Sequence, residues 1–142
     1  MDKWRVWKTQ KHDTEFSNIA KGGINDSNAI QMTTGKVGGG CFLKYMPITP
    51  GKTYTFSIMA KKSVKAGNVS LGIQGRTGNN FSGASPVSKA INATGDWQEI
   101  VLEFTVPVTG KWAVSDNVLV TLGAGNTPNC TTIFDDFKVE EK

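Results

Sequence analysis

Catalytic chemistry has little to work with in this sequence. Its single histidine, His12, sits in the polar run 10–14, the setting of a solvated loop residue rather than of a general base. No nucleophile stands with a base and an orienting acid, and no phosphate-binding loop, dinucleotide fingerprint or histidine-rich metal signature occurs despite sixteen glycines. Glu99 and Glu103, the carboxylates that could pair as acid and base, fall on the outer parity of one strand with no partner across a cleft. The chain is therefore expected not to be an enzyme.

One carboxylate draws notice. In Ile133-Phe134-Asp135-Asp136-Phe137-Lys138-Val139-Glu140, strict alternation places Asp135 on the apolar side with Ile133, Phe137 and Val139, and Asp136 opposite with Lys138 and Glu140. An inward ionised carboxylate is costly unless it accepts hydrogen bonds, pairs with a base or binds a metal. Asp135 is thus expected to hold either a set of backbone N–H donors or a sheet-edge lysine, or else a structural calcium ion with oxygen ligands from Asp, Asn and carbonyls.

The tryptophans suggest binding. Trp4 and Val6 share one parity, so Trp7 faces the other way with Arg5, and Trp112 stands in a Gly-Lys-Trp loop setting. A flat ring stacks on the apolar face of a sugar while Asn, Gln and Arg bond its hydroxyls. Gln74, Arg76, Asn79 and Asn80 run from a strand into a Gly-containing loop, where they could line a cleft rim. Trp7, Arg76, Asn79 and Trp112 are the ligand-binding candidates, against the alternative that the tryptophans cover the ends of the fold or a subunit contact.

These residues need a scaffold, and the dominant period of the sequence is two. Tyr54, Phe56, Ile58 and Ala60 alternate with Thr53, Thr55 and Ser57; the same pattern recurs in Val69, Leu71 and Ile73 and in Ile100, Leu102, Phe104 and Val106. Further strands are expected at 3–9, 28–33, 40–46, 87–91, 117–122 and 132–140, about nine in all. Between them lie Gly22-Gly23, Gly38-Gly39-Gly40, Gly75, Gly78, Gly83, Gly95 and the turn 123–128, which leave little room for helix. Thr49-Pro50-Gly51-Lys52 reads as a type II turn entering the strongest strand. The expectation is an all-β antiparallel sandwich, a jelly roll, forming a single domain over 1–142 without repeats or a dividing linker.

Composition narrows the partners. Of 142 residues, 38% are hydrophobic and 20% charged, enough for a core and too little charge for a disordered chain. The net charge of +4 is uneven: residues 1–65 hold eleven Lys or Arg against four Asp or Glu, and 66–142 hold five against eight. Only Arg5 and Arg76 are arginines, so no nucleic-acid partner is expected. No run approaches the roughly 18 apolar residues of a membrane span, and the charged start Met1-Asp2-Lys3-Trp4-Arg5 carries no export signal, so no membrane partner is expected. Cys41 and Cys130 read as two separate thiols.

Three segments are similar to landmarks of a known family. Pro47-Ile48-Thr49-Pro50-Gly51-Lys52-Thr53-Tyr54-Thr55-Phe56-Ser57-Ile58-Met59-Ala60-Lys61, then Gly95-Asp96-Trp97-Gln98-Glu99-Ile100 through Phe104-Thr105-Val106-Pro107, and last Ile133-Phe134-Asp135-Asp136-Phe137-Lys138-Val139 resemble the carbohydrate-binding modules of the cellulose- and xylan-binding type (families 4, 9 and 22) in order and spacing. The resemblance implies a galactose-binding-domain-like jelly roll with a concave face that binds single glycan chains. It also implies a structural calcium near the first Asp of the last strand, here Asp135. Family members that act on polysaccharides are commonly exported and joined to a hydrolase, which this sequence does not encode.

Two functions follow. The first is a non-catalytic module recognising a polysaccharide or surface glycan, extracellular in setting. The second is a bacteriophage virion component, such as capsid decoration, a fibre or a receptor-binding part. There the sandwich would serve assembly with copies of itself, as a homo-oligomer, or with a capsid shell.

Overall fold

The computed structural model describes residues 4–63, 67–92, 95–125 and 127–142. Lys3, at the head of the expected first strand, and Asn126, in the expected turn 123–128, lie outside them. Eleven strands run through the described residues: β1 (Arg5–Trp7), β2 (Glu15–Ile19), β3 (Ala29–Thr33), β4 (Cys41–Pro47), β5 (Thr53–Lys62), β6 (Asn68–Thr77), β7 (Asn80–Phe81), β8 (Val87–Asn92), β9 (Gln98–Thr105), β10 (Asn117–Gly123) and β11 (Thr131–Glu141). Two short 3-10 turns, Ile24–Asp26 and Gly110–Val114, are the only helical pieces among them.

All pairings are antiparallel and form two sheets. One has the order β1-β4-β10-β6-β7, with β8 also paired to β6; the other has the order β2-β3-β11-β5-β9. The alternation in the sequence is what permits this, because each strand can turn one apolar row inward. Tyr54, Phe56, Ile58 and Ala60 of β5 meet Val69, Leu71 and Ile73 of β6 and Val118, Val120 and Leu122 of β10 in a single core. Phe42 at its centre takes edge-to-face contacts from Trp4, Phe16 and Phe134 at 6.5, 5.1 and 6.1 Å. Such pairs add to burial because the positive ring edge meets the negative face.

The expected Pro-Gly turn is present. Lys52 N–H donates to the Thr49 carbonyl at 3.2 Å, and Gly51 takes φ of 90°, the left-handed value required at that turn position.

The inward placement expected of Asp135 is not what forms. In the first part of β11 the residues facing the core are Thr132 and Phe134, both 0% exposed, so Ile133 and Asp135 point to the other side. The register then slips: Asp135 pairs Met59 and Lys138 pairs Ser57, leaving Asp136 and Phe137 opposite one residue. Asp136, with φ of 56°, forms this β-bulge, after which Phe137 and Val139 pack on the core. Strict alternation fails here because one extra residue inverts the parity of everything beyond it.

Cys41, half-buried, and Cys130, buried, are free thiols.

Candidate functional site

The face of the first sheet turned away from the core carries the candidate site. Register defines it. Arg5 pairs Leu43 and Trp7 pairs Cys41; Tyr45 pairs Leu119, which pairs Gln74; Pro47 pairs Asn117, which pairs Arg76, which pairs Phe81. These residues share one outward parity, opposite to that of Phe42, Leu71, Ile73 and Val120.

Arg76 organises it. Its guanidinium carbon lies 5.1 Å from the centroid of the Tyr45 ring and 4.7 Å from that of Phe81. Arg5, from the edge strand β1, lies 5.5 Å from the same Tyr45 centroid. Cations attract the electron-rich faces of such rings, and a planar guanidinium also stacks on them. Arg76 is only 8% exposed, whereas Tyr45 and Phe81 are 43% and 62% exposed. Leu119, between Tyr45 and Gln74, is buried although it shares their outward parity.

The turn between β6 and β7 is fixed by β10. Asp116 accepts the Gly78 N–H at 3.1 Å and the Asn117 side-chain amide at 2.6 Å, and these two donors, the amide foremost, hold its carboxyl below the usual carboxylate range. Asn117 also donates to the Gly78 carbonyl at 3.1 Å, and Thr77 Oγ1 donates to the Val114 carbonyl at 2.6 Å. Arg76 in turn donates to the Asn79 carbonyl. Tyr45, Pro47, Arg5, Arg76, Gly78, Asn79 and Asn117 thus line a groove of about 700 Å3. A second hollow of about 540 Å3, lined by Trp4, Lys44, Arg5, Tyr45 and Met46, shares Arg5, Tyr45 and Met46 with it and continues it past β1.

Of the residues chosen from the sequence, Arg76 and Asn79 come together in this groove. Trp7 lies on the same face, 50% exposed and edge-on to His12 at 5.7 Å. Four residues along β4 separate its partner Cys41 from Tyr45, about 13 Å at strand rise. Trp112 does not belong to the site: it is 8% exposed in the second 3-10 turn and packs on Phe104 at 4.8 Å, closing one end of the core. A loop setting suggested exposure, but the ring supplies too much apolar area for the core to leave it outside. Tyr45, Arg5, Phe81 and Asn117 were not singled out. Parity gave no help for Tyr45, because Cys41, Leu43 and Tyr45 look as apolar as Phe42 and Met46. Arg5 was placed on the Trp7 face, and that was the available signal.

Asp135 lies elsewhere, beside the turn at 23–27. Its Oδ2 accepts the Ile24 N–H at 2.9 Å and the Ser27 hydroxyl at 2.5 Å, and its Oδ1 accepts the Asp136 N–H at 2.8 Å. Gly23 permits this approach: a Cβ there would stand 2.3 Å from Oδ2. The carboxylate thus accepts three hydrogen bonds, two from the 23–27 turn and one from the N–H of its own bulge. Among the described residues no three His, Cys, Asp or Glu side chains gather as a metal cluster.

With this geometry in hand, comparison with known proteins defines the class. The family model described as a carbohydrate binding domain matches residues 1–122, so the chain belongs to that family. No curated protein matches it. Solved structures share the fold. The family 22 module and glycoside hydrolase fragment of Clostridium thermocellum xylanase 10B, complexed with xylohexaose, superposes with a TM-score of 0.74 at 16% identity, over 99% of this chain and 26% of that one. A family 22 xylan-binding domain from Paenibacillus barcinonensis gives 0.74 at 11% identity, over 100% and 93%. Tailspike protein 4 of bacteriophage CBA120 gives 0.73 at 12% identity, over 99% and 20%. The chain spans about a quarter of the xylanase fragment and a fifth of the tailspike's enzymatically active domain.

Proposed function

We propose that the chain is a non-catalytic module that holds a polysaccharide or surface glycan along the outer face of its first sheet. The observation that carries this reading is the Tyr45–Arg76–Phe81 stack in an open groove on a face that also exposes Trp7. Exposed rings on a rigid sheet provide stacking platforms at little entropic cost, while Asn117, Gln74 and the backbone of the 77–80 turn supply hydrogen bonds. The family membership and the fold shared with xylan-binding structures support it.

Affinity electrophoresis against xylan, β-glucan and cellulose tests it, with Tyr45→Ala and Trp7→Ala beside the parent chain. Each variant is expected to lose about tenfold or more in affinity, the usual scale for an aromatic anchor. Folded protein that is retarded by no polysaccharide would sink the reading.

A second reading, a virion component, draws on the likeness to a bacteriophage tailspike. Size-exclusion chromatography with light scattering separates the two: a trimer favours the virion part, a monomer the glycan module.

A further inference from the structure

We infer that the glycan this groove takes is anionic, a polysaccharide bearing uronate carboxylates; the inference rests on the glycan-binding reading and specifies its ligand. Arg76 is the reason. An arginine with more than nine-tenths of its surface buried is ordinarily paired with a carboxylate, because taking its charge out of water is costly otherwise. Among the described residues no Asp or Glu oxygen lies within 4.0 Å of it, and its one side-chain hydrogen bond goes to the neutral Asn79 carbonyl. Its Nε is buried with no partner. The rings of Tyr45 and Phe81 offset part of the lost hydration but bring no negative charge.

The surroundings carry the same sign. The groove is lined by Arg76 and Arg5 and by no carboxylate, while Lys44, of the opposite parity, lies over the Trp4 and Phe137 rings. Asp116, beside Asn117 in sequence, is turned to the Gly78 N–H and the Asn117 amide. A groove shaped for a neutral glycan gains from carboxylates that accept sugar hydroxyls; this one presents donors only on its charged side chains. Two guanidinium groups converge on one phenol ring, one from the edge strand β1 and one from β6 inside the sheet, and planar guanidinium matches a carboxylate with two parallel N–H···O bonds. A sugar stacked on exposed Phe81 would bring a carboxylate on its ring beside Arg76.

The test is calorimetric titration of the whole chain with polygalacturonate, alginate and glucuronoxylan, each beside its carboxyl-reduced form, and with dextran sulfate as a sugar polyanion lacking carboxylates. At least one native polymer is expected to bind, to weaken about tenfold or more on carboxyl reduction, and to weaken again from about 50 to about 500 mM NaCl. Exposed Arg5 lets the charge be removed without disturbing the core. Arg5→Gln is expected to reproduce the tenfold loss on the native polymer, to weaken the reduced polymer far less and to keep the parent Tm. Arg76→Lys, which keeps the charge but loses the fork, is expected to lose several-fold. Equal binding of native and reduced polymers, or no effect of Arg5→Gln, overturns the anionic assignment and leaves the glycan-binding reading standing. Dextran sulfate binding as tightly as the best uronate overturns it in favour of unspecific charge attraction. Binding of no polymer, charged or neutral, by folded protein removes both.

Discussion

Asp116 touches the groove only through its neighbours, yet it fixes the turn from which Asn79 and Arg76 are presented. Its depressed carboxyl makes that support dependent on pH. A carboxylate held below its unfolded value stabilises the fold fully above the ordinary carboxylate range, and the contribution disappears as pH falls through the lowered value in the native state. Glycan affinity is therefore expected to hold through neutral and mildly acidic pH and to drop only in strong acid, when the Gly78 N–H and the Asn117 amide lose their acceptor. Asp116→Ala is expected to weaken binding several-fold already at pH 7, measured by the same titrations. At this scale the sequence was half legible. Trp7 and Trp112 look alike as residues, and only packing against Phe104 decides that one is core. Arg76 was visible as a rim residue, but its contact with Tyr45 depends on a strand about thirty residues away and has no local signature.

Among the elements, strands with clean alternation were readable, and β5, β6 and β9 stand where the pattern put them. The two added strands explain their own silence. In β2 only Phe16 packs on the core, and β7 is two residues long, so neither offers a period to detect. The bulge in β11 is the reverse case, a strong pattern carried one residue too far. Asp135, freed from the interior, latches β11 to the 23–27 turn, and Asp135→Ala is expected to lower stability by about 1–3 kcal/mol because it strands the Ile24 N–H and removes the Ser27 partner. Melting in calcium and in chelator belongs beside that variant: a rise of Tm with calcium in the parent alone would assign an ion to this carboxylate. Lys62, at the end of β5, is a second latch. It is 1% exposed, and its ammonium donates to the Asn68 and Ala124 carbonyls at 3.0 Å each and to Thr127 Oγ1 at 2.7 Å. Burial pushes its pKa down, and the nearby Cys130 opposes that. Lys62→Met keeps the chain volume but leaves three acceptors unserved, so a loss of about 1.5–3 kcal/mol in urea unfolding is expected, with glycan binding by the surviving folded fraction unchanged.

For the whole molecule, the all-β sandwich was legible because period two, turn residues and family landmarks all agree. The charge asymmetry was legible as a count. The basic first half supplies β1 and β4 to one sheet and β2, β3 and β5 to the other, so both sheets mix the two halves. Arg5 and Arg76, one from each half, both meet the Tyr45 ring.

The groove takes Arg5 from β1, Tyr45 from β4, Arg76 from β6 and Asn117 from β10, and β1 is the weakest of these, three residues long and bonded to a single neighbour. Short edge strands open at low free energy, so amide hydrogens there exchange early, long before those of the core. A bound glycan that bridges Arg5 to Arg76 ties this strand to the centre of the sheet. Occupancy is then expected to be written in exchange protection of β1 and of the 77–80 turn, with β5 and β11 unmoved, which makes the first strand a natural reporter of whether the module is carrying cargo.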